Sequence, residues 1–251
     1  MLGWVPALRV ERHQLQLKRL GSSYGGWVFV HDESLNGARI LSCGAGEDIS
    51  FDIALAAIYN AKVLVVDPTP KAVAHVKAVL ERLGNQETPR GHVDGLPYDL
   101  SGVRLDQLIL CNKAVWNENT RLRFFSPPNP EHVSHSITNF QHNYAKDTHY
   151  IEVDAVTTDQ LLSEHQTGTP VMIKLDIEGA EIEVLLDMLA KGIYPKQVLV
   201  EYDELSVPSR RSRNRVESAH LALLGSGYVL VHRDGFNFTY WLRQVASTNA
   251  Q

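Results

Sequence analysis

Several features that would assign a chain to a special class are missing from this sequence of 251 residues. Lys and Arg number 24 against 29 Asp and Glu, which gives a formal net charge of −5. Nucleic-acid-binding proteins usually carry a basic face instead, and the one basic run, at residues 210–215, is too short to supply one. We therefore expect no nucleic-acid partner.

Cysteines and long apolar runs are also scarce. Cys43 and Cys111 are the only cysteines, and each lies within an apolar run, so we expect buried free thiols and a reducing, cytoplasmic location. The apolar N-terminus reaches charged residues at Arg9, and no other run approaches eighteen apolar residues. This pattern predicts neither a signal peptide nor a membrane span.

Short apolar runs alternate with amphipathic segments along most of the chain. Continuous Val, Ile and Leu runs of this kind are typical of parallel strands that are covered on both faces. Alternation of such strands with helices predicts βαβ units and a parallel sheet. The predicted strands are residues 39–43, 62–67, 107–111, 171–176 and 197–202.

The chain closes with a different pattern. Residues 227–232 and 236–243 are strand-like runs separated by a short turn, which predicts an antiparallel hairpin at the end of the sheet. We predict one α/β domain over residues 1–251, with an N-terminal extension at 1–38, a Rossmann-like core at 39–245 and a loop or insertion at 117–150. Long loops within compact domains are often functional.

A glycine turn follows the first core strand and predicts a cofactor site. Two glycines allow a tight turn and close approach of a ligand, but a dinucleotide site needs a third glycine, and Ile49 stands there. Glu47 and Asp48 place negative charge where phosphates would lie. This suits S-adenosylmethionine, which has no phosphate and a cationic end. The residues predicted to bind it here are Ser42, Gly44, Ala45, Gly46, Glu47 and Asp48.

The next two strand ends add to the predicted cofactor site. Asp67 ends the second strand, where a carboxylate binds ribose hydroxyls in nucleoside-binding folds; the alternative is that Asp67, next to Pro68, caps the turn at Thr69 and Pro70. At the third strand end we expect contacts with adenine. The candidates are Asn112, Ala114 and Val115, with Trp116 either stacking on the ring or packing in the core.

Three motifs resemble the FkbM family of methyltransferases. They are the glycine turn Gly44-Ala45-Gly46, the strand end Asp67-Pro68-Thr69-Pro70, and the segment Lys174-Leu175-Asp176-Ile177-Glu178-Gly179-Ala180-Glu181. The last is similar to the family's Lys-x-Asp-x-Glu-Gly-x-Glu hallmark. The similarity extends over residues 20–245, and two further stretches, 25–27 and 133–137, resemble one subgroup of the family.

The resemblance implies a class I methyltransferase fold, with helices on both faces of a seven-stranded, mostly parallel sheet whose last strand is antiparallel. It also implies transfer of a methyl group from S-adenosyl-L-methionine to a hydroxyl, commonly on a sugar, glycan or natural product. One departure concerns the fifth strand, where the subgroup has a His after the Glu. This chain has Tyr202 after Glu201.

Four residues are candidates for the catalytic site, because methyl transfer to a hydroxyl requires alignment of the acceptor and removal of its proton. Asp176 ends the fourth strand, and we expect it to contact the methionine end of the cofactor or the acceptor. Glu178, just beyond it, is a candidate base or hydrogen-bonding anchor, and Glu201, which ends the fifth strand, is another candidate base. His135, in the long loop, has a side chain suited to accept a proton near neutral pH. Glu181 and its neighbours can instead stabilise the start of a helix.

The predicted acceptor contacts lie in three separate stretches of the chain. Arginines after the fifth strand can bind an anionic group of the acceptor, although a solvated surface is the commoner role of such residues. The candidates are Trp27, Ser134, His135, Arg210, Arg211 and Arg213. No tight spacing of metal ligands is visible, so we expect no metal.

Two alternative functions are compatible with the same sequence. One is a module that binds S-adenosylmethionine but has lost catalysis, and the intact acidic motif argues against it. The other is a nicotinamide-dependent oxidoreductase, which Ile49, Glu47 and Asp48 disfavour because they do not suit a pyrophosphate.

Overall fold

The computed structural model describes residues 8–11, 14–85, 90–93, 96–125 and 150–243. Its strands are β1 (Leu17–Leu20), β2 (Trp27–Val30), β3 (Arg39–Cys43), β4 (Lys62–Val66), β5 (Arg90–Val93), β6 (Leu96–Asp99), β7 (Leu108–Cys111), β8 (Ala114–Val115), β9 (Thr120–Phe125), β10 (Tyr150–Val156), β11 (Met172–Leu175), β12 (Gln197–Glu201), β13 (Tyr228–Asp234) and β14 (Asn237–Leu242). Its α-helices are α1 (Ser50–Tyr59), α2 (Pro70–Gly84), α3 (Thr158–Glu164), α4 (Glu181–Ala190) and α5 (Arg210–Gly225). Short 3-10 helices lie at Glu33–Leu35, Leu105–Gln107 and Asp203–Leu205.

Seven strands form the central sheet in the order β13-β14-β12-β11-β3-β4-β7. The pairs from β12 to β7 are parallel, whereas β14 runs antiparallel to both of its neighbours. The five predicted parallel strands and the closing hairpin are all present. The prediction of a class I methyltransferase sheet with an antiparallel last strand is therefore confirmed.

The two faces of the sheet carry separate cores because side chains alternate along a strand. On β3, Ile40 packs with α1 and α2 on one face, and Leu41 packs with α4 and α5 on the other. Cys43 and Cys111 are buried and free, as predicted. Both faces are apolar, which explains why these strands appear in the sequence as continuous apolar runs.

The start of α2 lies at Thr69 and Pro70, but the Thr69 side chain does not cap the helix. Thr69 is the N-cap residue and Pro70 opens the helix, yet the Thr69 side chain makes no capping hydrogen bond. Its hydroxyl instead donates to Asp67 Oδ1 over 2.6 Å. The side chain therefore contributes to the strand end that precedes the helix.

Two segments outside the predicted core have more structure than expected. Within the segment 117–150, predicted as a loop or insertion, residues 120–125 form β9, which is antiparallel to β10 in a small sheet with β8. The N-terminal extension contains the hairpin β1–β2, and its Trp27 and Phe29 are buried in the core beside α1. Among the described residues, no helix combines the length and apolarity needed to span a bilayer.

Candidate active site

A cavity of about 580 Å³ opens at the edge of the sheet where the parallel strands end. This is the edge at which open α/β sheets bind ligands, and the volume lies within the range of small-molecule sites. Thirteen of the predicted site residues line it: Trp27, Gly44, Ala45, Gly46, Glu47, Asp48, Asp67, Pro68, Ala114, Val115, Asp176, Glu178 and Glu201.

The two glycines of the turn after β3 are required for different reasons. Gly44 has a φ of 86°, and a Cβ there would lie 1.6 Å from the carbonyl oxygen of Asp176. Gly46 has a φ of 53°, but a Cβ there would meet no atom within 4 Å. Gly44 thus allows two strand ends to meet, whereas Gly46 leaves open space at the cavity.

Asp67 is held by four hydrogen bonds within the protein. Its Oδ2 accepts the backbone N–H groups of Ala45 at 3.0 Å and Gly46 at 3.1 Å. Its Oδ1 accepts the N–H and the hydroxyl of Thr69 at 2.8 and 2.6 Å. A carboxylate offers about four acceptor positions, so Asp67 anchors the glycine turn and the start of α2 at once. The capping alternative is observed, and the ribose role stays a prediction.

Asp48 connects the glycine turn to the N-terminal hairpin. It accepts the Ser22 hydroxyl at 2.5 Å, the Gly25 N–H at 3.2 Å and the Ser50 N–H at 2.9 Å. Burial would raise the pKa of Asp48, but the hydrogen bonds from Ser22 and Ser50 outweigh it and lower that pKa. Asp48 is therefore a stably ionised carboxylate that lies against the cavity.

Lys174 lies beneath the cavity and connects the strand ends. Its Nζ donates to the Gly44 carbonyl at 2.5 Å and is 3.3 Å from Asp176 Oδ2, and its side chain is only 5% exposed. Burial would lower the pKa of Lys174, but the charges of Asp176 and Asp52 raise it above its usual value. The ammonium group also lies 5.6 Å from the centroid of the Trp27 ring. Trp27 is thus a buried wall of the cavity.

The turn after β11 is held by Glu181 at the start of α4. Glu178 has a φ of 54°, an uncommon left-handed conformation for a residue with a side chain. The Glu181 carboxylate accepts the N–H groups of Ile177 at 2.8 Å and Gly179 at 3.1 Å. This structural role for Glu181 agrees with the expectation that it stabilises the helix start, and it fixes the backbone that carries Glu178.

Two acids at and just after the end of β12 have pKa values raised toward or above neutral pH. Burial raises the pKa of Glu201 to about 7, with further contributions from the charges of Asp176 and Glu178. Burial and the charges of Glu178 and Asp176 raise the pKa of Asp203 to about 8. Burial also raises the pKa of Glu181, as do Asp203 and Glu204. Such perturbed acids in a cleft are typical of functional sites.

Some predicted residues do not reach the cavity. Ser42 is fully buried and Asn112 is exposed, and neither lines the cavity. Arg210, Arg211 and Arg213 are exposed on α5 and are also absent from its lining.

Three further placements concern Trp116 and two residues of the long loop. Trp116 packs partly buried against two apolar clusters, as its core alternative predicts. Ser134 and His135 lie outside the described residues.

Several cavity residues that the sequence did not assign to the site carry ionisable side chains, among them Lys174, Asp203 and Tyr24. Lys174 was identified only as part of the family motif, although a lysine inside an apolar strand that ends in Asp is itself a signal. Asp203 lies two residues after Glu201, on the same edge of the sheet. Tyr24 immediately precedes Gly25-Gly26-Trp27, and the family resemblance of that stretch was the signal that could have found it.

The sheet order and the cavity at its edge define a class I methyltransferase fold. The model of the methyltransferase FkbM domain matches residues 37–220. This is most of the chain, so the protein belongs to the FkbM methyltransferase family. It is an S-adenosyl-L-methionine-dependent methyltransferase.

Solved structures with a similar fold share little sequence with this chain. A putative caffeoyl-CoA O-methyltransferase from Staphylococcus aureus is 9% identical, with a TM-score of 0.43, and the match covers 82% of this chain and 76% of that one. The ribosomal protein L11 methylase from Lactobacillus delbrueckii subsp. bulgaricus is 11% identical, with a TM-score of 0.39 and coverage of 82% and 68%. TYW2 from M. jannaschii, in complex with AdoMet, is 10% identical, with a TM-score of 0.34 and coverage of 94% and 90%. No curated protein matches the sequence.

The donor set of the cavity fits S-adenosylmethionine. Both lysines in the lining are already paired, Lys174 with Asp176 at 3.3 Å and Lys113 with Glu164 at 2.7 Å. The lining also contains Glu178 and Glu201, so the cavity suits a ligand with a cationic end. A Cβ at Gly46 would meet no atom within 4 Å, and the buried Ala114 and Val115 add apolar surface to the same cavity.

Proposed function

We propose that this protein is an O-methyltransferase that acts on a hydroxyl of a small molecule, sugar or glycan, with Glu201 as the general base. The observation that carries the proposal is the position and acidity of Glu201. It ends β12, lines the same cavity as the glycine turn, and has a pKa raised to about 7. A general base is most effective when its pKa lies near the working pH.

The other acids are less suited to accept the proton. Asp176 is already engaged by the buried ammonium of Lys174, at 3.3 Å. Asp203, with a pKa of about 8, is mostly protonated at neutral pH. Glu178 stands on a left-handed backbone within the turn that Glu181 holds in place. We assign Asp176 and Glu178 to orientation of the cofactor and the acceptor.

S-adenosylmethionine supplies an electrophilic methyl group when it is bound. The turn at Gly44, Ala45 and Gly46 would hold it, with Ala114 and Val115 against its adenine ring. The protein's own contribution is to align the acceptor hydroxyl and to remove its proton at a Glu201 carboxylate oxygen. The prediction that no metal takes part stays part of this proposal.

In this proposal the acceptor does not need an anionic group in order to bind. Among the described residues that line the cavity there is no arginine, and both lysines are paired. The predicted arginines lie on the exposed start of α5, where Arg213 pairs with Glu217 at 2.8 Å. A neutral hydroxyl compound therefore suits the cavity better than a phosphate or carboxylate.

The proposal is tested by locating the transferred methyl group. The enzyme would be incubated with isotope-labelled S-adenosylmethionine and a panel of sugars, glycans and small alcohols, and the products would be analysed by mass spectrometry and NMR. We expect the label on an oxygen. A labelled nitrogen or carbon atom would contradict the proposal, and so would O-methylation that proceeds undiminished in the Glu201→Gln enzyme.

A further inference from the structure

The turn between β1 and β2 is fixed to the edge of the cavity by a compact set of hydrogen bonds. The Ser22 hydroxyl donates to Asp48 at 2.5 Å and accepts the N–H groups of Tyr24 at 3.0 Å and Gly25 at 2.8 Å. The Ser22 N–H donates to the Ser50 hydroxyl at 2.7 Å. These contacts join the turn to Asp48 and Ser50 at the start of α1. The turn is therefore part of the cavity wall.

Close packing at Gly25 shows how tightly this turn is seated. A Cβ at this position would lie 2.6 Å from Asp48 Cγ, so the backbone rests directly on that carboxylate. From the other side, the Arg19 guanidinium donates to the carbonyl of Ser23 at 3.1 Å. A turn held on both sides presents its side chains in a defined direction.

Tyr24 is the large side chain that this turn exposes. It lines the cavity, yet 88% of its surface is exposed, more than for any other large hydrophobic residue among the described positions. Desolvation at the cavity raises the pKa of Tyr24, and the charges of Asp176, Glu178 and Glu201 raise it further. Tyr24 therefore lines the same cavity as Asp176, Glu178 and Glu201, the acids at and just after the ends of β11 and β12.

A single exposed aromatic residue is common on protein surfaces and by itself has no meaning. Tyr24 differs because its turn is anchored to the cavity wall and the same cavity contains the proposed base Glu201 together with Asp176 and Glu178. An aromatic face opposite carboxylates suits a ligand with two kinds of surface. The ring packs against an apolar C–H face, and the carboxylates accept hydrogen bonds from hydroxyls on the edge.

We propose that Tyr24 is a specificity-determining residue whose ring stacks on a ring-shaped, hydroxyl-bearing acceptor and holds it against the acids. The proposal rests on the proposed O-methyltransferase function and deepens it. Ser22 and Asp48 act as positioning residues for this ring, because they fix the turn that carries it. Acyclic alcohols with the same hydroxyls lack the flat face and bind more weakly.

The test uses saturation-transfer NMR on protein that is saturated with S-adenosylhomocysteine. The probes are methyl glucopyranoside, methyl galactopyranoside and methyl mannopyranoside, with sorbitol as the acyclic polyol. The variants are Tyr24→Ala and Tyr24→Phe. Tyr194→Ala is the matched control, because Tyr194 is 43% exposed and does not line the cavity.

We expect transfer to the ring protons of at least one pyranoside and little transfer to sorbitol. Tyr24→Ala should weaken this binding about threefold to tenfold, as expected for loss of a stacked pair, whereas Tyr24→Phe and Tyr194→Ala should retain it. Equal binding by Tyr24→Ala, or no transfer to any pyranoside, would overturn the assignment. Calorimetry with S-adenosylhomocysteine separates the two proposals. If the wild-type protein does not bind S-adenosylhomocysteine, the proposed methyltransferase site is refuted, and not only the role of Tyr24.

Discussion

The carboxylates on the two sides of the cavity are in opposite environments. On the glycine-turn side, Asp67 accepts four hydrogen bonds and Asp48 three, all from N–H and hydroxyl groups of the protein. On the β12 side, Glu201 is partly buried and Asp203 is buried near other acids, and their pKa values rise to about 7 and 8. The carboxylates on the glycine-turn side therefore hold the backbone of the site in place. The acids on the β12 side have pKa values near neutral pH and can exchange protons there.

Gly44 joins the two sides, and its replacement should give the largest effect. In Gly44→Ala the new Cβ would overlap the Asp176 carbonyl, so we expect a loss of more than about 4 kcal/mol in the free energy of unfolding, or no folded protein. Gly46→Ala is the matched control, because it meets only the left-handed backbone cost of about 1–2 kcal/mol. Urea denaturation of both variants measures the difference. Similar losses in the two would mean that the strand ends do not meet as described.

Glu201→Gln removes the proposed base from the reactive side. We expect turnover to fall about 10²- to 10³-fold, the usual contribution of a general base, while calorimetry shows unchanged S-adenosylhomocysteine affinity. In the wild type, kcat/KM should rise with pH through about 7, because the base must be deprotonated. Glu217→Gln, on the surface of α5, serves as the control. An unchanged pH profile in Glu201→Gln would assign the base to another residue.

Asp67→Ala tests the structural role of the carboxylate on the glycine-turn side. Four donors lose their acceptor, so we expect the free energy of unfolding to fall by about 2–4 kcal/mol, measured by urea denaturation without ligand. If Asp67 also binds the ribose, affinity for S-adenosylhomocysteine should fall by about 1–3 kcal/mol. Unchanged stability would contradict the anchoring role. Reduced stability with unchanged affinity would limit Asp67 to that role.

Asp203→Asn tests the raised pKa of Asp203 through the pH dependence of folding stability. The folded state holds the Asp203 proton up to about pH 8, whereas the unfolded chain releases it near pH 4. Between these values the folded state binds more protons, so this group's contribution to stability falls as pH rises. The variant should therefore gain about 1–3 kcal/mol relative to the wild type between pH 5 and pH 8. Denaturation curves whose difference does not change with pH would contradict this.

Arg213→Ala should have the smallest effect. Its ion pair with Glu217 is exposed and lies on the surface of α5, and such pairs contribute about 0.5 kcal/mol or less. We expect little change in thermal stability and no change in KM for the acceptor. A raised KM would restore the original prediction that this arginine binds the acceptor.

The sequence predicts the fold better than it predicts the state of each acid. Strands such as β4 and β12 are continuous apolar runs because both sheet faces are covered, so their positions and order follow from pattern. Strand β9 was missed although Leu122 and Phe124 alternate with arginines, because the neighbouring residues rich in Pro, Asn and His made the whole stretch resemble a loop. The local sequence pattern predicts a strand reliably where both faces of that strand are buried.

The roles of the acids depend on contacts between distant segments. Asp67 was expected to face a ligand, but its partners Ala45 and Gly46 lie about twenty residues earlier and reach it only through the glycine turn. The high pKa of Asp203 arises from burial beside acids of another strand end. Neither the spacing nor the composition of the chain contains this information.

A crystal structure with S-adenosylhomocysteine would show directly whether the cofactor lies between the glycine turn and the acids. We expect the adenosine between the glycine turn and the apolar pair Ala114 and Val115, with the sulfur atom directed toward Glu201 and Asp176. Adenosine bound elsewhere, or a sulfur atom directed away from these acids, would contradict it.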